Sequence, residues 1–167
     1  MIIRPAVSND IEQITEIYNQ AIRSGGKTAD LTEFSASERT AWFEYLQADN
    51  RFTILVAEEK QKVIGYAGLS PYRKGREALL RTAELSYYVH FDYHGQGIGS
   101  ALLSACIQHS RKYGIKVLIC ILLAVNEVSF KFLEKHGFTP WGLLPDVAEV
   151  NGELVSHLYY GRKLDNE

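Results

Sequence analysis

The sequence predicts an α/β domain: one mixed sheet with helices on both faces. Three observations predict it. Helical and strand periodicities alternate in the order β, α, α, a β meander, β-loop-α, β-α and two closing strands. Residues 116–124 form a continuous apolar run, as expected of a strand covered on both faces. With 167 residues and 46% apolar composition, the chain has the length of one domain and enough apolar surface for a substantial core. That domain is expected over 1–164, with 165–167 as a frayed tail.

The elements follow in order. Residues 2–5 read as a short strand, and Ser8, Asn9 or Asp10 is placed to cap a helix. Ile11, Ile14, Ile17, Tyr18 and Ala21 make an apolar stripe at helical spacing. Residues 24–35 read as a loop, and Ser35 or Ser37 opens a second helix with Ala41, Trp42, Tyr45 and Leu46 inward. Strands 52–58 and 62–70 join through the polar turn 59–61, and a basic loop follows over 72–76. A strand over 83–91 leads into a glycine-rich turn and a helix over 98–113 with Leu102, Leu103, Cys106 and Ile107 on its buried face. After the strand at 116–124, a short helix over 129–135 ends at Gly137, and strands 138–144 and 154–164 close the chain around Asn151-Gly152.

The turn His94-Gly95-Gln96-Gly97-Ile98-Gly99-Ser100 is the most informative stretch. Glycine permits a sharp turn and close approach of a ligand. The helix start behind it offers unpaired N–H groups and a positive dipole end, together an anion cradle suited to phosphate. The alternative is a plain strand-to-helix connection. The glycine spacing does not fit the dinucleotide fingerprint, which needs G-x-G-x-x-G and an acid about 20 residues on. Gly26-Lys27-Thr28 ends like a P-loop, but Ala21 stands where that motif needs its first glycine.

Composition narrows the class. A formal charge of −2 argues against a nucleic-acid or membrane surface. No apolar run reaches signal-peptide or bilayer-spanning length, and two cysteines make no disulfide framework, so a reduced cytoplasmic setting is expected. Cys106 and Cys120 fall on apolar faces and read as core residues. The histidines have no metal-ligand spacing, so no metal is expected.

Val89, the 94–99 turn with Leu102-Leu103, Asn126-x-x-Ser129 and Glu134-Lys135-His136-Gly137-Phe138 together resemble the GCN5-related N-acetyltransferase (GNAT) family. Ile17-Tyr18-Asn19, Pro71-Tyr72-Arg73, Glu84–Val89 and Trp141-Gly142 resemble its phosphinothricin acetyltransferase branch. The resemblance implies a central, mostly antiparallel sheet, acetyl-CoA as co-substrate, a homodimer, and a small amine as acceptor. The branch acetylates amino-acid-like compounds such as phosphinothricin and methionine sulfoximine or sulfone. One departure is visible at once: His94 stands where the family's pyrophosphate loop has Gln or Arg.

By this resemblance, the N–H groups of Gly95, Gln96, Gly97, Ile98, Gly99 and Ser100 hold the pyrophosphate, with His94 beside them. Tyr87, Tyr88 and Val89 pair with the pantetheine arm like an added strand, and Asn126 contacts it; Asn126 also reads as a helix cap. Glu84, flanked by Ala83 and Leu85, is the candidate general base, with a surface charge or an ion pair to Arg81 as the alternative. Leu133 occupies the position of the family's proton-donating Tyr or His and cannot donate. Tyr88, on the face of Glu84 by period-two alternation, Tyr159 and Tyr160 are the other candidate donors, and departure of an unassisted thiolate is the alternative. On the acceptor side stand Tyr72 and Arg73, the latter for a carboxylate, together with Glu33 and Leu85. Ser156 replaces an acid frequent in the branch. Three functions fit: an amino-acid-type N-acetyltransferase, an acetyltransferase for another amine (a peptide, protein N-terminus or polyamine), and a non-catalytic acetyl-CoA-binding module.

Overall fold

The computed structural model describes residues 1–164; the tail expected at 165–167 lies outside them. Seven strands form one sheet: β1 (Ile2–Pro5), β2 (Thr53–Glu59), β3 (Lys62–Pro71), β4 (Thr82–Val89), β5 (Val117–Leu123), β6 (Thr139–Val150) and β7 (Glu153–Lys163). Their order is β1-β2-β3-β4-β5-β7-β6, antiparallel throughout except for the parallel pair β4–β5. The hairpins use backbone that the turn residues accept: Asn151 and Gly152 have φ of 54° and 82°, and Lys60 and Gln61 also take positive φ.

The helices are α1 (Ile11–Ser24), α2 (Ala36–Gln47), α3 (Ile98–Lys112) and α4 (Glu127–Lys135). Two glycines of β3 show how they divide between the faces. A Cβ on Gly65 would meet Ile98 and Leu102 of α3, whereas one on Gly68 would meet Trp42 of α2. An odd spacing along a strand puts these on opposite faces. Thus α3, with Phe132 of α4 against Tyr87, covers one face, and α1 with α2 covers the other. Leu102, Leu103 and Cys106 are fully buried as their spacing predicts. At the sheet's other edge, Arg4 of β1 donates to both carboxylate oxygens of buried Asp10, at 2.7 and 2.9 Å, and to Glu58 of β2 at 2.7 Å.

Several boundaries and faces differ from expectation. In α2 the buried residues are Phe43 and Leu46, whereas Ala41 and Tyr45 are exposed and Trp42 is half-buried. The helix carries apolar residues around its circumference, so its rotation is set by seating Trp42 over Gly68, not by its own stripe. Strand β4 ends at Val89, and a 3-10 turn at Phe91–Tyr93 takes the residues expected to continue it. Strand β6 runs on to Val150, past Pro145-Asp146 and beyond the expected end at residue 144. It is an edge strand whose pairing with β7 shifts register between Leu144 and Ala148, so Pro145 falls where no ladder bond is needed. Trp141 of β6 lies directly on Gly161 of β7, whose missing side chain leaves room for the ring.

Candidate active site

The glycine turn and the start of α3 form an open concavity. Gly95 and Gly97 have φ of 75° and 80°, conformations that strain any residue with a Cβ. A Cβ on either would meet no atom within 4 Å, so the space above them is free. Gly97 caps α3, and its carbonyl accepts from Ala101 N–H at 3.1 Å. The N–H groups of residues 95–100 find no backbone acceptor among the described residues, leaving a ring of donors at a positive helix end. Gly99 serves packing instead: its Cβ would touch Phe132 at 3.4 Å.

The sheet opens beside this concavity. Strands β4 and β5 pair only through Thr82, Ala83 and Glu84, opposite Val117, Leu118 and Ile119. Beyond Glu84 they separate, so residues 85–89 have no partner strand on that side. A cavity of about 440 Å³ runs from the glycine turn along Tyr87, Tyr88 and Val89. A second, of about 360 Å³, lies at the fork and reaches Glu84. Both are lined by Tyr87, Tyr88, Asn126, Ser129 and Lys27, so they meet at the point where the strands part.

Glu84 is half-buried in the fork cavity, and burial raises its carboxyl above the usual range. Among the described residues it has no hydrogen-bond or ion-pair partner, and Arg81 is not paired with it. Burial likewise raises the phenol of Tyr88, which lies beside Thr28 and Tyr18 and stacks on Tyr66 at 5.4 Å between ring centroids. The hydroxyl of Tyr18 donates to Asp30 and lies 2.8 Å from that of Thr28. Asn19 holds this loop in place by two bonds to the Phe34 backbone, at 2.8 and 3.0 Å. Thus residues 27–30 form one wall of the fork cavity.

The expected site residues divide into two groups. Tyr87, Tyr88, Val89, His94, Gly95, Gly97, Ile98, Gly99, Ser100 and Asn126 all line the cavity at the glycine turn. His94 does so with Nε2 2.9 Å from the Val89 carbonyl, bracing the strand end. Ser100 Oγ pairs with His136 Nε2 at 3.0 Å, tying α3 to α4. Asn126 caps α4, its Oδ1 accepting from Ser129 N–H at 3.3 Å. Glu84, Leu85 and Leu133 line the fork cavity.

The Gln96 side chain turns back to the Asp92 carbonyl at 3.4 Å and lines neither cavity, which leaves its backbone N–H as its part in the turn. Three expectations need correction. Glu33 lies outside both and is paired with Arg23 at 2.6 Å on the surface. Arg73 is exposed and lines a separate hollow with Tyr45 and Lys74, and Tyr72 lines neither cavity, although its N–H bonds the Thr82 carbonyl at 3.4 Å. Tyr160 donates to Glu134 on the α4 side and Tyr159 packs against His157, so neither borders the fork. Ser156 is likewise engaged elsewhere, bonded to Asp146 at 3.2 Å.

Sequence reasoning missed Tyr18, Thr28, Asp30, Arg39, Tyr66 and His157, all of which line the fork cavity. Tyr18 sits on an apolar stripe and reads as core. Arg39 lies three residues from Trp42 on the same side of α2, a position whose charge was the available signal. Cys106 and Cys120 are free and buried; burial pushes the Cys106 thiol up to about 12 and also raises that of Cys120, which borders the cavity. Among the described residues no three His, Cys, Asp or Glu side chains cluster to hold a metal ion.

Residues 11–138 match the model of the acetyltransferase (GNAT) family. YwnH of Bacillus subtilis is 33% identical over 164 residues, covering 98% of this chain and 99% of that one. The L-methionine sulfoximine/L-methionine sulfone acetyltransferase of Salmonella typhimurium is 32% identical, covering 99% and 95%. Among solved structures, the phosphinothricin acetyltransferase of Sinorhizobium meliloti in complex with AcCoA superimposes with a TM-score of 0.91 at 30% identity, covering 98% of this chain and 88% of that one.

Proposed function

The chain belongs to the GNAT acetyltransferase family, and from that premise we propose that it moves acetyl from acetyl-CoA directly to the amino group of a small amino-acid-like acceptor, of the phosphinothricin or methionine sulfoximine and sulfone type. The observation that carries this reading is the fork after Glu84, where the two cavities meet. A donor entering along the glycine turn and an acceptor entering beside Glu84 would face each other there. The similarity to a sulfoximine and sulfone acetyltransferase over nearly the whole chain supports the acceptor class.

The residues fit the donor. Backbone N–H groups of 95–100 suit a pyrophosphate. The unpaired edge at 85–89 suits the amides of pantetheine, and the side-chain amide of Asn126 lies beside it. Acetyl-CoA supplies an activated thioester, so the step requires no metal.

An amino acid arrives largely as ammonium. Glu84, made more basic by burial, takes the proton directly or through one water. The freed nitrogen lone pair attacks the carbonyl carbon; the C–N bond forms, the C–S bond breaks, sulfur departs with the electron pair, and the nitrogen loses its second proton to water to leave the neutral amide. Leu133 offers no proton. Tyr88, kept protonated by burial, stands at the junction to supply one, and a thiolate is otherwise a competent leaving group.

We place the enzyme in the cytoplasm, where free thiols such as Cys106 and Cys120 persist. Its partner is a second copy of itself: the edge strand β6 exposes Trp141, Leu143, Leu144 and Val147 along its length.

The deciding experiment is an acceptor screen with acetyl-CoA, reading release of the coenzyme thiol. Amino acids and their sulfoximine or sulfone analogues should lead. Preference for polyamines or peptides would replace the acceptor class, and binding without turnover of any amine would leave a non-catalytic module.

A further inference from the structure

We propose that Arg39 is the anchor for the acceptor's carboxylate, an assignment that rests on the amino-acid reading of the fork cavity. Arg39 lines that cavity from α2. Its guanidinium lies among aromatic rings, 3.9 Å from the Trp42 centroid, 4.5 Å from that of Tyr18 and 5.7 Å from that of Phe34. These contacts hold the group in place and leave its N–H groups as the hydrogen-bonding side.

The side chain is half-buried and lacks a charged partner. No carboxylate lies within ion-pair distance of Arg39 among the described residues. Its one hydrogen-bond contact is a long one of 3.5 Å from Nη2 to the Tyr66 hydroxyl, and Nε is shut from solvent with no acceptor. A buried guanidinium nitrogen is ordinarily paired, and an unpaired one at a cavity wall points to a ligand that supplies the anion. The neighbouring carboxylates do not: Asp30 accepts from Tyr18, and Glu84 has no hydrogen-bond or ion-pair partner among the described residues.

Asp30 is engaged by Tyr18, and Lys27 is shared with the donor cavity, which leaves Glu84 and Arg39 to match a zwitterion. Glu84 faces the ammonium end and Arg39 the carboxylate end of one amino acid, in the fork below the loop 27–30. Arg73, the expected carboxylate partner, is an exposed residue of a different hollow. A decarboxylated amine would fill the same space and leave the guanidinium orphaned, so the arrangement selects amino acids over simple amines.

The test compares methionine sulfone with its carboxamide, which keeps the amine and side chain but removes the charge. Arg39→Gln should raise KM for methionine sulfone about 10- to 100-fold, the worth of a charge-assisted hydrogen bond. KM for the carboxamide should stay within about twofold, and acetyl-CoA affinity by calorimetry should not move. Arg39→Lys keeps the charge and the stem but loses the fork, and should show a smaller loss, again confined to the acid; it also serves if the Gln variant melts early. Equal losses on both acceptors in both variants would overturn the assignment, as would an acid-selective loss in Arg73→Gln instead. Failure of the unaltered enzyme to acetylate methionine sulfone or any other amino acid would overturn the acceptor class and this assignment together, an outcome distinct from the first two.

Discussion

Glu84 pairs with Ile119 in the last rung of the parallel ladder between β4 and β5, so a carboxylate stands where the sheet begins to open. The same rung ends the backbone pairing of β4 on that side and starts the free edge at 85–89. One position therefore sets both where the donor can lie and where the base waits.

Replacing Glu84 by Gln keeps the shape and removes the basicity. The rate should fall by roughly 10²–10⁴, the usual worth of general acid–base catalysis, with acetyl-CoA affinity unchanged. Near-normal turnover at neutral pH would make Glu84 structural.

The pH profile carries a second signature. The base works when deprotonated, and burial raises its pKa. The acid limb of kcat/KM should therefore lie above the ordinary carboxylate range, and activity should climb as pH rises through it. In Glu84→Gln that limb should vanish, leaving the rise that comes from the amine's own ionisation.

Gly97→Val should abolish acetyl-CoA binding in a folded protein. The left-handed backbone at φ 80° would cost the fold about 1–2 kcal/mol. No protein atom lies in the way, so the larger loss would come from the branched side chain standing where phosphate approaches. Unchanged binding by calorimetry in a folded variant would remove the pyrophosphate from this turn.

Transfer should pass through a ternary complex. Both thiols are buried and their pKa values are pushed up, which disfavours the nucleophilic thiolate. Initial-rate plots should intersect. Parallel lines with an acetyl group trapped on Cys120 would show a covalent route.

Asp10→Asn should destabilise the fold by about 2 kcal/mol at neutral pH, since it breaks charge-assisted bonds at a buried site. Burial pushes the Asp10 carboxyl up, but bonds from Arg4 and the Val7 N–H outweigh it and leave the pKa lowered. A lowered folded-state pKa stabilises above the unfolded value and is lost as pH falls through the folded one. The melting gap between wild type and variant should therefore close in acid, and a gap that persisted there would point to packing instead of charge.

Strand and helix order, the apolar face of α3 and the glycine turn at its start were legible in the sequence, because each is a local matter of periodicity and backbone freedom. So was Glu84 on a strand leading toward that turn. What only the tertiary structure decided were the contacts between distant segments. The rotation of α2, which buries Phe43 and turns Arg39 into the cavity, depends on Trp42 meeting Gly68 of another strand. The wall at 27–30 carries no periodic signal and is placed by Asn19 and Tyr18. Pro145 lies within β6 because β7 supplies a partner whose register shifts past it. Local propensity names the elements; long-range packing alone chooses which side chains of a helix or loop face the fork, because a cavity is a property of the surfaces that enclose it.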